Sequence, residues 1–272
     1  MHASALVVLI TGASSGFGRA IGTALAADGH LVFGGSRHTL ADPPPNFRPL
    51  ALDVTQDGSV AGAIDDILRS TGHIDVVINN AGIGLAGAIE DTSILEAQQQ
   101  FDTNFFGTHR VCRAVLPHMR ARGRGTIINM SSLGGLIPLP FQAFYSASKF
   151  AIEAYTEALR MELRPHGIAV AMIEPGDFMT GFTAHRRLTT ATAQSSAYYA
   201  RCTRAVNRMI KDEQKVSDLS PVVAAVLTII SQRRPALRYP RAAPLQRVLV
   251  ALKPFLPQPV FEYLVADNYE IR

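Results

Sequence analysis

A chain of 272 residues, 47% hydrophobic and 18% charged, is long enough to bury a large core and too apolar to be disordered. Its net charge of +4, with a pI near 9.3, falls short of what nucleic-acid binding needs without a basic stripe, although it would help attract a polyanionic cofactor. The two cysteines, Cys112 and Cys202, lie far apart with no metal-ligand spacing, so a reduced compartment and no metal site are expected.

The apolar start, Met1 to Ile10, has no basic leader and no cleavage site and runs straight into a glycine loop, so it reads as a first strand and not a signal peptide. No uninterrupted apolar stretch reaches the roughly 18 residues of a membrane span, and a cytoplasmic location is expected. Strands are predicted at Ala5–Thr11, Leu31–Gly35, Leu50–Asp53, Val76–Asn79, Thr126–Met130 and Ala169–Glu174. Their near-continuous Val, Ile and Leu runs mark strands covered on both faces, hence a parallel sheet. Helical patterns at Gly18–Asp28, Val60–Thr71, Ile94–Met119 and Ala147–Arg164 fill the gaps. The alternation implies an α/β fold, a Rossmann-like doubly wound sheet in one domain over 1–272.

One crossover departs from this rhythm. Ser36–Pro49 contains Pro43-Pro44-Pro45, which cannot continue a helix, so a turn is expected there in place of a connecting helix. Beyond 181 the pattern loosens into an insertion over 181–215 with a helix at Tyr198–Lys211, then a helix at Pro221–Ser231. A Pro/Arg-rich extension over 233–272 ends in a further helix. The glycosylation match Asn129-Met130-Ser131 falls at the end of a buried strand and is set aside.

Thr11-Gly12-Ala13-Ser14-Ser15-Gly16-Phe17-Gly18 sits between the first strand and the first helix. Glycines there permit a tight turn and close approach of main chain to a pyrophosphate, with the first helical amides facing the phosphate oxygens. Where the second strand ends, an NAD enzyme would carry an acid for the ribose hydroxyl; this chain has Ser36-Arg37 instead. A guanidinium beside a hydroxyl favours a 2′-phosphate, so NADP(H) is the expected cofactor. Asp53 and Val54 close the third strand where adenine would lie, and Asn79-Asn80-Ala81-Gly82 close the fourth with small residues. Tyr145 and Lys149 lie four apart on one helical face, where an ammonium could pull a phenol from its usual pKa of about 10 toward the working range. Ser132, thirteen residues before Tyr145 and just past a strand, could hydrogen-bond a substrate oxygen as charge develops on it.

Together with Asn104 and with Pro175-Gly176 and Thr180, these motifs resemble the short-chain dehydrogenase/reductase family, in the right order over about residues 5–182. The resemblance implies that Tyr145 exchanges the proton, Ser132 positions the substrate oxygen, and Lys149 binds the nicotinamide ribose and lowers the Tyr145 pKa. It also implies that Asn104 holds a water linking Lys149 to solvent, and that Pro175, Gly176, Phe178 and Thr180 meet the carboxamide end of the nicotinamide. The implied function is hydride transfer between NADP(H) and an alcohol/carbonyl pair.

Apolar side chains in Leu136–Phe144 (Pro138, Leu139, Pro140, Phe141, Phe144) and in the insertion (Phe182, Tyr198, Tyr199) are candidate substrate walls, suited to a lipophilic ketone or aldehyde. By analogy a steroid-, retinoid- or similar substrate is expected. The extension carries Arg233, Arg234, Arg238, Arg241, Arg247 and Lys253 beside an apolar stripe of Leu245, Val248, Leu249, Leu252 and Leu256. Such a helix can rest on a membrane surface; packing over the pocket or against a second subunit, in a homodimer or homotetramer, is preferred. A catalytically silent NADP(H) sensor or scaffold is the alternative; it would need the cofactor residues alone and not Asn104, Ser132, Tyr145 and Lys149 together.

Overall fold

The computed structural model describes residues 5–272 apart from 39, 41 and 185, so the first four residues of the apolar start lie outside the described part. In chain order the elements begin β1 (Val7–Thr11), α1 (Gly16–Ala27), β2 (Leu31–Ser36), β3 (Phe47–Ala51), α2 (Asp57–Thr71), β4 (Val76–Asn79) and the short β5 (Leu85–Ala86). Next come α3 (Ile94–Phe101), α4 (Gly107–Arg122), β6 (Gly125–Met130), α5 (Ala143–Leu163) and β7 (Ile168–Pro175). The rest is α6 (Gly181–Ala184), β8 (Arg187–Leu188), α7 (Thr190–Ser195), α8 (Tyr199–Glu213), α9 (Ser220–Ser231), β9 (Arg238–Arg241), α10 (Pro244–Leu252) and α11 (Gln258–Asn268).

Seven strands form one parallel sheet in the order β3-β2-β1-β4-β6-β7-β9. The order reverses at β1/β4, and the crevice beyond the carboxyl ends of the strands at such a switch point is where this architecture binds ligands. Side chains of β1 divide between two cores as the pleat requires. Val8 and Ile10 join α1 and α9 on one face, while Val7 and Leu9 join α2, α4 and α5 on the other.

Between β2 and β3 the described residues form no helix, as the prolines predicted. Phe47 helps to cover that face: a Cβ on Gly22 or on Gly34 would come within 2.3 Å of its ring. The third strand runs Phe47–Ala51, three residues earlier at its start than expected, which leaves Asp53 and Val54 beyond its end. The long helix expected at Ile94–Met119 is divided by one π turn, Asp102–Phe106, which carries the buried Asn104. Its start is fixed by a capping box between Ser93 and Glu96.

Three strands escaped the sequence reading. β9 continues the sheet from within the Pro/Arg-rich extension, and β5 pairs with β8 as a two-residue parallel ladder. The β9 residue Arg238 reaches three carboxylates, Glu153, Glu157 and Glu174, of which Glu153 and Glu174 are buried. Both cysteines are buried and free. Among the described residues no group of His, Cys, Asp or Glu could hold a metal ion, and no helix is long and apolar enough to cross a membrane.

Candidate active site

One cleft of about 730 Å³ runs over the carboxyl ends of the strands, from Arg37 to Tyr269. At one end its wall is main chain. Gly12 and Gly16 have φ of +67° and +53°, which a side chain would oppose. A Cβ on Gly12 would lie 2.8 Å from Ala81 Cα, and one on Gly18 would lie 2.3 Å from Gly12 O. Ser14, Ser15 and Phe17 line the same stretch, and no side chain caps the α1 amides there. Asn80 fastens the floor: its Nδ2 donates to Thr11 O at 2.9 Å and to Gly12 O at 3.0 Å, while the Asn80 and Ala81 amides donate to Thr11 Oγ1. Thr11 therefore acts through the strand ends and not from the cleft wall. Such a cradle fits the pyrophosphate of a dinucleotide.

Ser36, Arg37, Asp53 and Val54 line the adenine side. Arg37 is exposed and makes no ion pair within bonding distance among the described residues. The Ser36 hydroxyl donates to His38 O, so its proton is turned to the main chain. Burial raises the Asp53 pKa, but hydrogen bonds from Thr55 and the charges of Arg37 and Arg110 outweigh it, and the carboxyl stays below its usual range. Ala81 and Gly82 line the middle of the cleft with Asn80. Pro175, Gly176, Phe178 and Thr180 leave β7 along the opposite wall. Phe178 packs edge-to-face on Phe17 at 5.4 Å, and Thr180 closes over Gly16, its Cβ 3.2 Å from where a Gly16 Cβ would stand.

Ser132, Tyr145 and Lys149 meet in the middle. Ser132 follows β6, and a Cβ on Gly134 would stand 3.5 Å from its Oγ and 3.2 Å from the Tyr145 ring; the Ser132 oxygen accepts from Gly134 N at 3.0 Å. Lys149 Nζ donates to Met130 O at 2.8 Å and stands 5.9 Å from the Tyr145 ring centre. Both side chains are buried. Burial lowers the Lys149 pKa to about 8 against the opposing charge of Glu153. The expected depression of the Tyr145 pKa is not what the chain by itself produces. Burial pushes the phenol up, and the Ser132 hydrogen bond and the Arg186 charge offset this only in part. Asn104 sits behind this group. Its Oδ1 accepts from Ile83 N at 2.8 Å, and its Nδ2 donates to Ile83 O at 3.1 Å and to Ser148 Oγ at 3.2 Å. Its amide clamps the turn after β4 against α5, which makes it a positioning residue here.

The substrate end differs from the expected apolar wall. Leu139 and Phe182 line it, and Phe182 tilts against Tyr145 at 5.5 Å. Pro138, Pro140, Phe141, Phe144, Tyr198 and Tyr199 do not line it; Tyr198 donates to Glu90 instead, at 3.0 Å. In their place stand Asp177, from the segment expected to meet the nicotinamide, and Arg186, Asp212 and Glu213, which the sequence does not single out because these charges come from separate segments. The extension covers this end: Phe261 and Val265 of α11 pack on Ile137 and Leu139. The stripe on α10 is divided: Leu249 lines the cleft, Leu245 stands exposed at its rim, and Val248 and Leu252 are exposed as well. Three of its expected surface cations are engaged within the fold, Arg238 with its carboxylates, Arg241 with Pro221 O and Lys253 with Leu136 O.

The short chain dehydrogenase family matches residues 6–191. The 3-ketodihydrosphingosine reductase of Bacteroides thetaiotaomicron is 42% identical over 270 residues, 98% of each chain. Retinol dehydrogenase 8 of Homo sapiens is 34% identical over 262 residues, 88% of this chain and 82% of that one. A short-chain dehydrogenase from Streptomyces avermitilis superposes with a TM-score of 0.82 at 32% identity over 93% of both chains. Other structures with this fold hold NAD or NADP. The matched span contains the glycine cradle, Ser132, Tyr145, Lys149 and Thr180. The chain belongs to the short-chain dehydrogenase/reductase family, oxidoreductases acting on alcohol and carbonyl groups.

Proposed function

We propose that this chain reduces a ketone on a long-chain or otherwise lipophilic molecule, using NADPH. The observation that carries the reading is the meeting of Tyr145 and Ser132 around Gly134, whose added Cβ would stand 3.2 Å from the Tyr145 ring and 3.5 Å from Ser132 Oγ, where the glycine-walled half of the cleft meets the half roofed by α10 and α11. A bound nicotinamide would supply the hydride. Ser132 would hold the substrate oxygen, and Tyr145 would give that oxygen its hydroxyl proton as negative charge builds on it. Because burial raises the phenol pKa, the proton is on the oxygen at neutral pH, which suits reduction. Lys149, buried four residues along the same helix, places an ammonium beside the phenolate that results.

Support for NADPH comes from Arg37, an exposed cation one residue past the end of β2, a strand that ends in Ser36 and not in a carboxylate. Similarity to a 3-ketodihydrosphingosine reductase over nearly the whole chain supports a long-chain ketone; similarity to a retinol dehydrogenase supports a lipophilic one. The test follows nicotinamide absorbance with NADPH or NADH and a series of long-chain ketones. NADPH should be preferred, and Arg37→Asp should shift the ratio of the two kcat/KM values about 100-fold toward NADH, as loss of charge-assisted hydrogen bonds implies. An unchanged ratio would remove the 2′-phosphate assignment. Absence of turnover with every ketone would remove the reductase itself.

A further inference from the structure

Beside Tyr145 the cleft carries charged side chains whose hydrogen-bonding and ion-pairing capacity the fold leaves partly unused. Arg186 is 4% exposed, and its Nη2 is paired with Glu213, which also accepts from Thr183 Oγ1 at 2.6 Å. Its Nε and Nη1 are buried without any hydrogen-bond partner among the described residues. A buried guanidinium with two unpartnered donor nitrogens, on the wall of a ligand cleft, calls for an acceptor oxygen from outside the chain. Phe182 holds the guanidinium in place, 5.8 Å from its ring centre, and the same ring leans on Tyr145.

Asp177 presents the opposite demand. Gln246 Nε2 donates to it, but no cation lies within ion-pair distance among the described residues. Its neighbour Asp212 is matched by Arg208 at 2.9 Å and Lys215 at 2.7 Å, and Glu213 by Arg186. Asp177 is thus the acid left over on this wall. Burial and the charge of Glu213 raise its pKa to about 6, against the pull of Gln246 and Arg186. An incoming cation would hold it ionised. Asp177 and Arg186 line the same cleft as Tyr145, and the Phe182 ring touches both the Arg186 guanidinium and the Tyr145 ring. Further out the cleft turns apolar, with Ile137, Leu139, Met209, Leu249 and Val265.

We propose that Asp177 and Arg186 form a polar subsite for the head of the substrate: an ammonium on Asp177, and a hydroxyl oxygen of the same head on Arg186 Nε and Nη1. The substrate class is then a long-chain ketone bearing an amine and a hydroxyl beside its carbonyl, with the alkyl chain along the apolar stretch. The assignment rests on the reductase reading for the place of the carbonyl. The subsite itself is testable without turnover. The chain carries a net positive charge, so nonspecific attraction of an amine works against the expected result.

Calorimetric titration of the chain saturated with NADP+ or NAD+ would compare a long-chain vicinal amino alcohol with the diol in which a hydroxyl replaces the amine. The amino alcohol should bind about 10- to 100-fold tighter, the range expected for a charge-assisted hydrogen bond. Asp177→Asn should bring the two ligands within about twofold of each other, and Arg186→Lys should weaken both by the loss of the planar fork. Equal binding of the two ligands to the unmodified chain would overturn the proposal. So would a preference that survives Asp177→Asn. Preference for the amino alcohol in a chain that reduces no ketone would leave the subsite standing and reject the reductase. Reduction of ketones without that preference would do the reverse.

Discussion

At the Arg37 end of the cleft the wall is mostly main chain, held by Thr11 and Asn80 and kept open by glycines that have no room for a methyl group. At the Tyr269 end it is side chains brought from five separate stretches: Ile137 and Leu139, Asp177, Arg186, Met209 to Glu213, and the last two helices. The first surface is set by backbone shape and tolerates almost no substitution at its glycines. The second is set by pairing and packing between distant residues, and it can be altered without touching the first. Shared chemistry sits on the first kind of surface, and choice of substrate sits on the second.

The sharpest challenge to that division is Gly18→Ala. Its methyl group would stand 2.3 Å from Gly12 O, in main chain that cannot move aside without reshaping the cradle. We expect dinucleotide affinity to fall about 100-fold, measured by fluorescence titration, as overpacking of a rigid site costs about 1–3 kcal/mol. Unchanged affinity would mean that the cradle is not the phosphate site. A smaller effect should come from Phe261→Ala, which empties the cluster that α11 makes with Ile137 and Val265. Chemical denaturation should show a loss of about 3 kcal/mol, and KM for a long-chain ketone should rise several-fold while the dinucleotide affinity holds. Equal loss at both ends would erase the distinction between them.

The same division explains what could be read from the sequence. Val76–Asn79 was legible to the residue because a buried parallel strand is a continuous apolar run closed by turn residues. The Gly12–Gly18 spacing and the Tyr145/Lys149 pair were legible because their geometry is local, one turn of loop or helix. β9 was not: Arg238-Tyr239-Pro240-Arg241 has no apolar run, and it becomes a strand only because β7 offers an edge and buried Glu153 and Glu174 receive the Arg238 guanidinium. Arg186 and Glu213 are 27 residues apart, and nothing in the sequence joins them. Their burial follows from the fold of 181–215, which no periodicity reports. The π turn at Asp102–Phe106 was hidden for a related reason, since a one-residue insertion leaves the helical pattern nearly intact.

The most direct test of the account is a single-turnover measurement on Tyr145→Phe with the preferred dinucleotide and a ketone that the unmodified chain reduces. The ring stays between Lys149 and Phe182 and only the hydroxyl is lost. The rate of nicotinamide oxidation should drop about 1,000-fold, the scale of general acid catalysis, with dinucleotide affinity preserved. A rate within about tenfold of the original would contradict the assignment of this phenol as the proton donor.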